Sequence, residues 1–338
     1  MFRYAFLIFV GLFIACSPSS EYIHISGETM GTTYHVTLQG DPSIDWESAT
    51  EESLAQVNGS VNTYDPESEI SRFNVGEGSF QFDGKAGKNH FLENLIVSKM
   101  VVEESNGHFD PTVMPLVNYW GFGTTGKRAV TLIDSSAVDS ILQFVGWNNI
   151  SFDENAVNKK HPSSQLDLSA LAKGYGVDQI GLLLEKKGTK NYLVEIGGEV
   201  RARGVNEKGN PWRLGISKPY RGEKNREIEQ IISLPNMALA TSGNYRNFYQ
   251  TDHYTYAHTI NPITGFPEES SLLSASVIAK DCILADAFAT AFMVMGLGKA
   301  TEKVEELEGI EALFIFNDGK GGLEYWASPG LDTLLTKQ

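Results

Sequence analysis

Residues 192–204 read YLVEIGGEVRARG, two short strand-like runs joined by a Gly-Gly pair. The same pattern of short apolar runs between turn residues continues along the chain after this stretch. These further runs cover residues 212–217, 227–234, 238–242 and 272–278. Strands therefore come in a block instead of alternating strictly with helices, and this favours an α+β fold with mostly antiparallel sheet.

Helical patterns lie on both sides of this block. Apolar residues at helical spacing predict helices over 46–57, 90–104, 134–144, 170–187, 285–295 and 300–307. The partly alternating run from Ile23 to Leu38 predicts a half-buried strand. Residues 312–316 and 323–326 flank Asn317-Asp318-Gly319 and predict a closing hairpin.

The bulk composition narrows the classes of function. The chain has 338 residues, a formal net charge of −15 and a pI near 4.9. This length suggests one large domain or two packed lobes, with a core that needs no disulfides. An acidic surface repels phosphate backbones, so we expect no nucleic-acid partner. An anionic ligand would need a local cation, a metal or backbone N–H groups.

The N-terminus has the pattern of an export signal. Arg3 precedes an apolar run, Tyr4 to Ala15, that is too short to span a bilayer. Residues 13–16, FIAC, resemble a bacterial lipobox, so we predict a signal peptide over 1–15, a lipid on Cys16, a tether over 16–22 and the domain over 23–338. An ordinary signal peptide cut nearby is the alternative. Removal of the signal peptide takes away Arg3, so the net charge of the mature chain becomes −16. With Cys16 lipidated, Cys282 has no cysteine partner, and we expect it to be a buried, unpaired thiol.

Two oxygen-bearing residues share one helix face. Asp286 and Thr290 are four positions apart in the predicted helix over 285–295, so their side chains point the same way. A carboxylate with a hydroxyl is a hard-oxygen pair that suits Mg²⁺. The alternative is a helix-capping Asp286 and a buried Thr290 bonded to its own backbone.

Residues 167–176, DLSALAKGYG, place an acid and a lysine around a helix start. Backbone N–H groups at a helix N-terminus favour an anion. Lys173 could neutralise a phosphate, and Asp167 could accept a hydrogen bond from a ring N–H or a ribose hydroxyl. A structural ion pair between Asp167 and Lys173 is the alternative.

Histidines and aromatic residues supply the other candidates. His258 stands just before a Pro-Gly turn and suits proton transfer near neutral pH, although a lone histidine is more often structural. The loop His108-Phe109-Asp110 and the turn residue Tyr64 suit a flat heterocycle, or close a core. The sequence contains no P-loop, no GxGxxG fingerprint and no CxxC pair, and Ser242 lacks the pattern of a nucleophile elbow.

Eight segments, taken in order, resemble the ApbE family of FAD:protein FMN transferases. They are residues 27–34, 62–74, 109–112 with 120–123, 167–174, 196–199, 240–243, 258–265 and 285–290. Each segment is unspecific alone, whereas eight in one order are very specific. The resemblance runs from about residue 23 to the C-terminus and implies a T-fold-like, single two-lobed domain.

The resemblance also implies roles for single residues. Asp286, Thr290 and the Ala170 carbonyl would hold Mg²⁺ at the FAD pyrophosphate, and His258 would activate the acceptor hydroxyl. The residues that would contact FAD or line its pockets are Lys173, Asp167, Met30, Tyr64, His108, Phe109, Asp110 and Ile260. Ser169-Ala170 stands where many relatives have glycine, and Ala289 where some have a second acid, which leaves the full ligand count open.

The implied activity is Mg²⁺-dependent transfer of FMN from FAD to a threonine or serine hydroxyl, with release of AMP. The implied acceptor is a flavoprotein subunit of a membrane redox complex, and the implied place is the bacterial envelope, lipid-anchored and facing the periplasm or exterior. An Mg²⁺-dependent FAD pyrophosphatase would use the same residues. A non-catalytic FAD-binding lipoprotein is a third reading, but binding alone requires neither a base nor a metal pair.

Overall fold

The structure of the chain is a computed structural model. It describes residues 21–83, 89–126, 130, 133–219, 228–244, 248–250, 255–268, 270–320 and 322–335, with backbone only for 248–250 and 255–257. The predicted signal peptide and the tether up to residue 20 lie outside the described residues. The first strand begins at Glu21, two residues before the predicted start of the domain.

Seven α-helices and fifteen strands make up the described part of the chain. The helices are α1 (Trp46–Val61), α2 (Glu69–Val75), α3 (His90–Glu104), α4 (Met114–Tyr119), α5 (Ser135–Leu142), α6 (Ala172–Lys186) and α7 (Cys282–Glu306). The strands are β1 (Glu21–Thr29), β2 (Thr32–Gly40), β3 (Ser79–Gln81), β4 (Ile150–Phe152), β5 (Ala156–Lys159), β6 (Tyr192–Ile196), β7 (Glu199–Arg203), β8 (Arg213–Ser217), β9 (Ile228–Ser233), β10 (Ala238–Gly243), β11 (Phe248–Gln250), β12 (Thr255–Ala257), β13 (Leu272–Ala279), β14 (Glu311–Asn317) and β15 (Leu323–Ala327).

One large sheet organises the fold. Its strand order is β1-β2-β6-β7-β10-β13-β14-β15, and every neighbouring pair is antiparallel. Three small antiparallel sheets, β3-β5-β4, β8-β9 and β11-β12, complete the strands. The predicted α+β class with mostly antiparallel sheet is confirmed, as is the closing β14-β15 hairpin.

The two faces of this sheet carry different layers. On β6, Val194 and Ile196 pack with α6 and α1, and Leu193 packs on the opposite side with the β8-β9 hairpin. Alternation continues on β7, where Val200 and Ala202 face the hairpin layer. Glu199, Arg201 and Arg203, which alternate with them, therefore point toward the helices and pair with residues of α6.

Helices α6 and α7 cross closely beneath the sheet. A Cβ on Gly174 would lie 2.4 Å from the Cys282 carbonyl oxygen, so only glycine permits this approach. Helix α7 is long and apolar enough to cross a membrane, but two thirds of its apolar stretch (67%) is buried inside the protein, as in the core helix of a soluble fold. The predicted helices over 285–295 and 300–307 are its two parts, separated at Gly296, where φ is 72°.

Two sequence predictions need correction. The run from Ile23 to Leu38 is not one strand but the β1-β2 hairpin, which turns at Met30 and Gly31 with φ of 51° and 72°. Residues 62–74 carry turn residues such as Asp65 and Pro66 and predict a turn-rich segment, but helix α2 begins there after the cap Ser68, whose hydroxyl accepts from the Ser71 N–H. In the first segment the alternating pattern hides the turn, and in the second the turn residues hide the helix.

Candidate active site

A cavity of about 580 Å³ opens among the helices, the sheet and the loops around residues 108–113 and 258–262. It brings together every predicted site residue except Met30, from segments far apart in the sequence. The predicted residues that line it are Tyr64, His108, Phe109, Asp110, Asp167, Ala170, Lys173, His258, Ile260, Asp286 and Thr290.

A lysine and two buried carboxylates form the charged centre of the cavity. Lys173 Nζ lies 2.7 Å from Glu199 Oε1 and 3.9 Å from Asp286 Oδ1. Asp286 Oδ2 also accepts a hydrogen bond of 3.0 Å from the Gly174 N–H. The side chains of Glu199 and Asp286 are only 5% and 4% exposed, so the two carboxylates are shielded from bulk water, whereas the Lys173 side chain is 31% exposed.

The charged groups in this cluster shift one another's pKa values. Burial raises the pKa of the Asp286 carboxyl, and the Glu199 carboxylate raises it further, against the opposing effects of Lys173 and the Gly174 N–H. Burial lowers the pKa of Lys173, but Asp286 and Glu199 outweigh it and hold that pKa above its ordinary value. The ammonium therefore stays charged while facing two carboxylates.

The described geometry fits Mg²⁺ at Asp286 and Thr290. Asp286 lies in the second turn of α7, so it is not the helix cap, and Thr290 Oγ1 lies 3.1 Å from Ser242 Oγ. The Ala170 segment lines the same cavity. Among the described residues no group of three or more His, Cys, Asp or Glu side chains could hold a metal. A hard cation would therefore combine one carboxylate with neutral oxygens and waters, as Mg²⁺ commonly does.

The loop before α6 is fixed from two sides. Asn74 of α2 makes two hydrogen bonds with the Leu166 backbone, Nδ2 to O at 2.8 Å and N to Oδ1 at 2.7 Å. The Asp167 N–H donates to the Pro111 carbonyl at 2.7 Å, and Asp167 Oδ1 accepts from the Ser169 N–H. Because the acidic partners of Lys173 are Glu199 and Asp286, the alternative of a structural Asp167–Lys173 pair is wrong.

The loop at residues 108–113 lines the cavity and is held in place by hydrogen bonds. Asp110 accepts three hydrogen bonds, from the N–H and hydroxyl of Thr112 and from the Trp147 N–H, and these bonds close the loop. Burial still raises the pKa of Asp110. His108 Nδ1 lies 2.8 Å from the Ser105 carbonyl oxygen, and its Nε2 lies 3.2 Å from Lys299 Nζ, so the ring is held on two sides.

His258 lies on the cavity wall. Its ring contacts Phe122 edge-on, with ring centroids 6.3 Å apart, and Ile260 two residues later packs into a small cluster with Leu116, Trp120 and Val138. Tyr64 is 66% exposed, so it presents an open ring face at the cavity. Met30 does not line the cavity: its side chain packs toward Gly176 of α6.

Sequence reasoning missed two residues that shape this site. Glu199 was part of a recognised segment, but its contact with Lys173 depends on how β7 lies against α6. Asp178 of α6 accepts from the N–H groups of Cys282 and Ile283 at 3.0 and 2.9 Å and thereby caps α7. Arg201 holds that carboxylate at 2.7 Å. No local pattern around Asp178 indicates a cap more than 100 residues away.

Comparison with known proteins agrees with this arrangement. The sequence model of the ApbE family matches residues 30–314. The chain is 36% identical over 330 residues to the FAD:protein FMN transferase of Vibrio cholerae, with 96% of each protein covered. It is 39% identical over 306 residues to that of Haemophilus influenzae, with 86% of each covered.

Two solved structures are similar over nearly their whole length. The flavin transferase ApbE from Vibrio cholerae has a TM-score of 0.82 at 34% identity, covering 94% of this chain and 100% of that one. The apo flavinyl transferase ApbE of Pseudomonas stutzeri has a TM-score of 0.82 at 31% identity, covering 93% and 97%. Fold and cavity define an α+β protein with a lysine and two buried carboxylates at the centre of a polar site. The chain belongs to the ApbE family.

Proposed function

We propose that the chain is an Mg²⁺-dependent FAD:protein FMN transferase that moves FMN from FAD to a threonine or serine hydroxyl of an acceptor protein. The observation that carries the proposal is the meeting of His258, Lys173 and the Asp286–Thr290 pair around one cavity. These residues come from separate segments and supply a base, a cation and a metal pair. A protein that only stores FAD does not require a base, a cation and a metal pair in the same site.

The transfer breaks the phosphoanhydride bond of the FAD pyrophosphate and forms a phosphoester bond to the acceptor. The acceptor hydroxyl oxygen attacks the phosphorus of the FMN half of FAD, the bond from that phosphorus to the AMP oxygen breaks, and AMP leaves. His258 takes the proton of the attacking hydroxyl, a role that typically contributes about 10² to 10⁴ in rate. Lys173 offers a positive charge to the pyrophosphate inside an otherwise acidic protein.

Asp286, Thr290 and the Ala170 carbonyl would hold Mg²⁺. When bound, the cation supplies Lewis-acid polarisation of phosphoryl oxygens and charge neutralisation. The chain's own residues fix where this happens: Asp178 caps α7 and so places Asp286, while Asn74 and Pro111 hold the segment that leads to Ala170. The exposed Tyr64 ring and the 108–110 loop suit the flat rings of FAD.

The place of action follows from the N-terminus. The apolar run to Ala15 and the FIAC sequence support export and lipidation of Cys16. We accordingly place the enzyme on a bacterial envelope membrane, facing the periplasm or exterior, where it flavinylates a subunit of a membrane redox complex.

The test combines the purified mature protein with FAD, Mg²⁺ and a flavin-acceptor subunit. We expect a fluorescent acceptor band on a denaturing gel that disappears with EDTA and with an acceptor whose target threonine is replaced by alanine. AMP release should depend on the acceptor. Release of FMN and AMP without an acceptor band would instead identify a pyrophosphatase, and intact FAD with bound flavin would identify a binding protein.

A further inference from the structure

Glu199 has a carboxylate oxygen that accepts no hydrogen bond in the described structure. The residue opens β7 directly after the Gly197-Gly198 turn, where φ values of 61° and 109° allow a two-residue hairpin. This places its side chain against the cavity, 4% exposed overall. Oε1 accepts from Lys173, but Oε2 is buried and has no hydrogen-bond partner among the described residues.

A buried unpaired oxygen of this kind is costly. Leaving a buried acceptor unsatisfied costs about 1–3 kcal/mol, and more for a charged group. Oε2 itself has almost no exposed surface, so a donor in the cavity that Glu199 lines would reach it when the carboxylate turns toward that cavity. The unpaired oxygen is therefore a sign of a ligand contact.

The charge around Glu199 indicates what kind of ligand completes it. Lys173 is shared by Glu199 and Asp286, so two buried carboxylates face one ammonium. A substrate hydroxyl would satisfy the unpaired oxygen but leave the surplus negative charge in place. A divalent cation removes that surplus, and Mg²⁺ usually keeps several bound waters that need acceptors.

We infer that Glu199 belongs to the cation site, where its Oε2 accepts a hydrogen bond from a water that Mg²⁺ retains. The inference rests on the proposed function, since it needs the cation at Asp286 and Thr290. Glu199 is then a positioning residue for the metal and its water, beyond being a counter-ion for Lys173.

The test measures metal binding directly, with Mn²⁺ as the probe and the electron paramagnetic resonance of free Mn²⁺ as the readout, with and without FAD. We expect Glu199→Gln to weaken Mn²⁺ binding by about 10- to 100-fold, as loss of an outer-shell partner does. Glu195→Gln is the matched control: it lies on the same hairpin and binds His35 and the Gly198 N–H instead of facing the cavity. It should leave Mn²⁺ binding unchanged.

A second pair of variants separates the two roles of Glu199. In a Lys173→Met background, Glu199→Gln should still weaken Mn²⁺ binding at least about tenfold. A loss that vanishes in this background would overturn the inference and make Glu199 a counter-ion only. Equal Mn²⁺ affinity of Glu199→Gln and the wild type, with Asp286→Asn impaired, would also overturn it and leave the proposed function intact. If Asp286→Asn binds Mn²⁺ like the wild type, the proposed metal site itself fails.

Discussion

Asp286 sits in the second turn of α7 with both carboxylate oxygens engaged, one near Lys173 and one by the Gly174 N–H. We expect Asp286→Asn to lower acceptor-dependent AMP release by about 100-fold or more, because the proposed Mg²⁺ site would lose its carboxylate. Asp281→Asn, one turn earlier and without a capping hydrogen bond, is the control and should retain activity. Near-normal turnover of Asp286→Asn in Mg²⁺ would remove Asp286 from the metal site.

His258 is predicted to act on the acceptor and not on FAD. His258→Ala should therefore bind FAD as tightly as the wild type, measured by quenching of flavin fluorescence. FMN transfer to the acceptor should slow by about 10² to 10⁴, since the base is lost. His35→Ala, an exposed histidine paired with Glu195, is the control. Unchanged transfer by His258→Ala would assign proton removal to another group.

Single residues were predictable where a short segment carried the signal. The Asp286–Thr290 spacing and the Asp167–Lys173 segment predicted residues that the structure brings to one cavity. Partners across the fold were not predictable in the same way. Lys173 pairs with Glu199 and not with Asp167, because β7 lies over the start of α6, a contact that no local pattern specifies. Met30 lies beside the site at the hairpin turn, and its role stays a prediction.

At the scale of elements, the α6-α7 crossing fixes the site. Gly174 lets α6 approach the start of α7, and a Cβ there would lie 2.4 Å from the Cys282 carbonyl oxygen and 2.8 Å from the Asp286 Cβ. We expect Gly174→Ala to destabilise the protein by about 1–3 kcal/mol in chemical denaturation, as overpacking does, and to weaken Mg²⁺ binding by moving Asp286.

Gly59→Ala in α1 is the matched control for this variant. A Cβ at Gly59 meets no atom within 4 Å, and alanine favours a helix interior by about 0.5–1 kcal/mol. Stability equal to the wild type in Gly174→Ala would show that the two helices can separate without cost. A stable Gly174→Ala protein with normal Mg²⁺ binding would contradict the role of the crossing in placing Asp286.

Long periodic elements were predicted well, and tight turns were not. The helix over 90–104 and the strands over 192–196 match the structure at both ends, because apolar spacing and flanking glycine agree there. The β1-β2 turn was missed because alternation continues across it, and Met30 takes a positive φ that no sequence rule expects of methionine. The pairing of strands in the large sheet depends on contacts between distant segments, so local sequence patterns do not predict it.

At the scale of the molecule, an acidic protein that takes FAD as its substrate has to bring a positive charge to the anionic pyrophosphate. The net charge is −15, yet Lys173 stays charged inside the cavity because Asp286 and Glu199 hold it so. The same carboxylates leave a negative surplus that suits a divalent cation. The cluster alone is therefore net negative, and the divalent cation that we propose there would make it suit an anionic substrate.

The proposed location of the protein can be tested apart from catalysis. Replacing the proposed lipidation site, Cys16→Ser, should move the protein from the membrane fraction to the soluble fraction of a bacterial host, because the apolar run to Ala15 is too short to anchor it as a span. The first described strand begins at Glu21 and the proposed catalytic and metal-binding residues all follow it, so FMN transfer by the purified variant should equal that of the wild type. Ser17→Ala is the control and should stay with the membrane. Wild-type membrane partition of Cys16→Ser would place the anchor elsewhere.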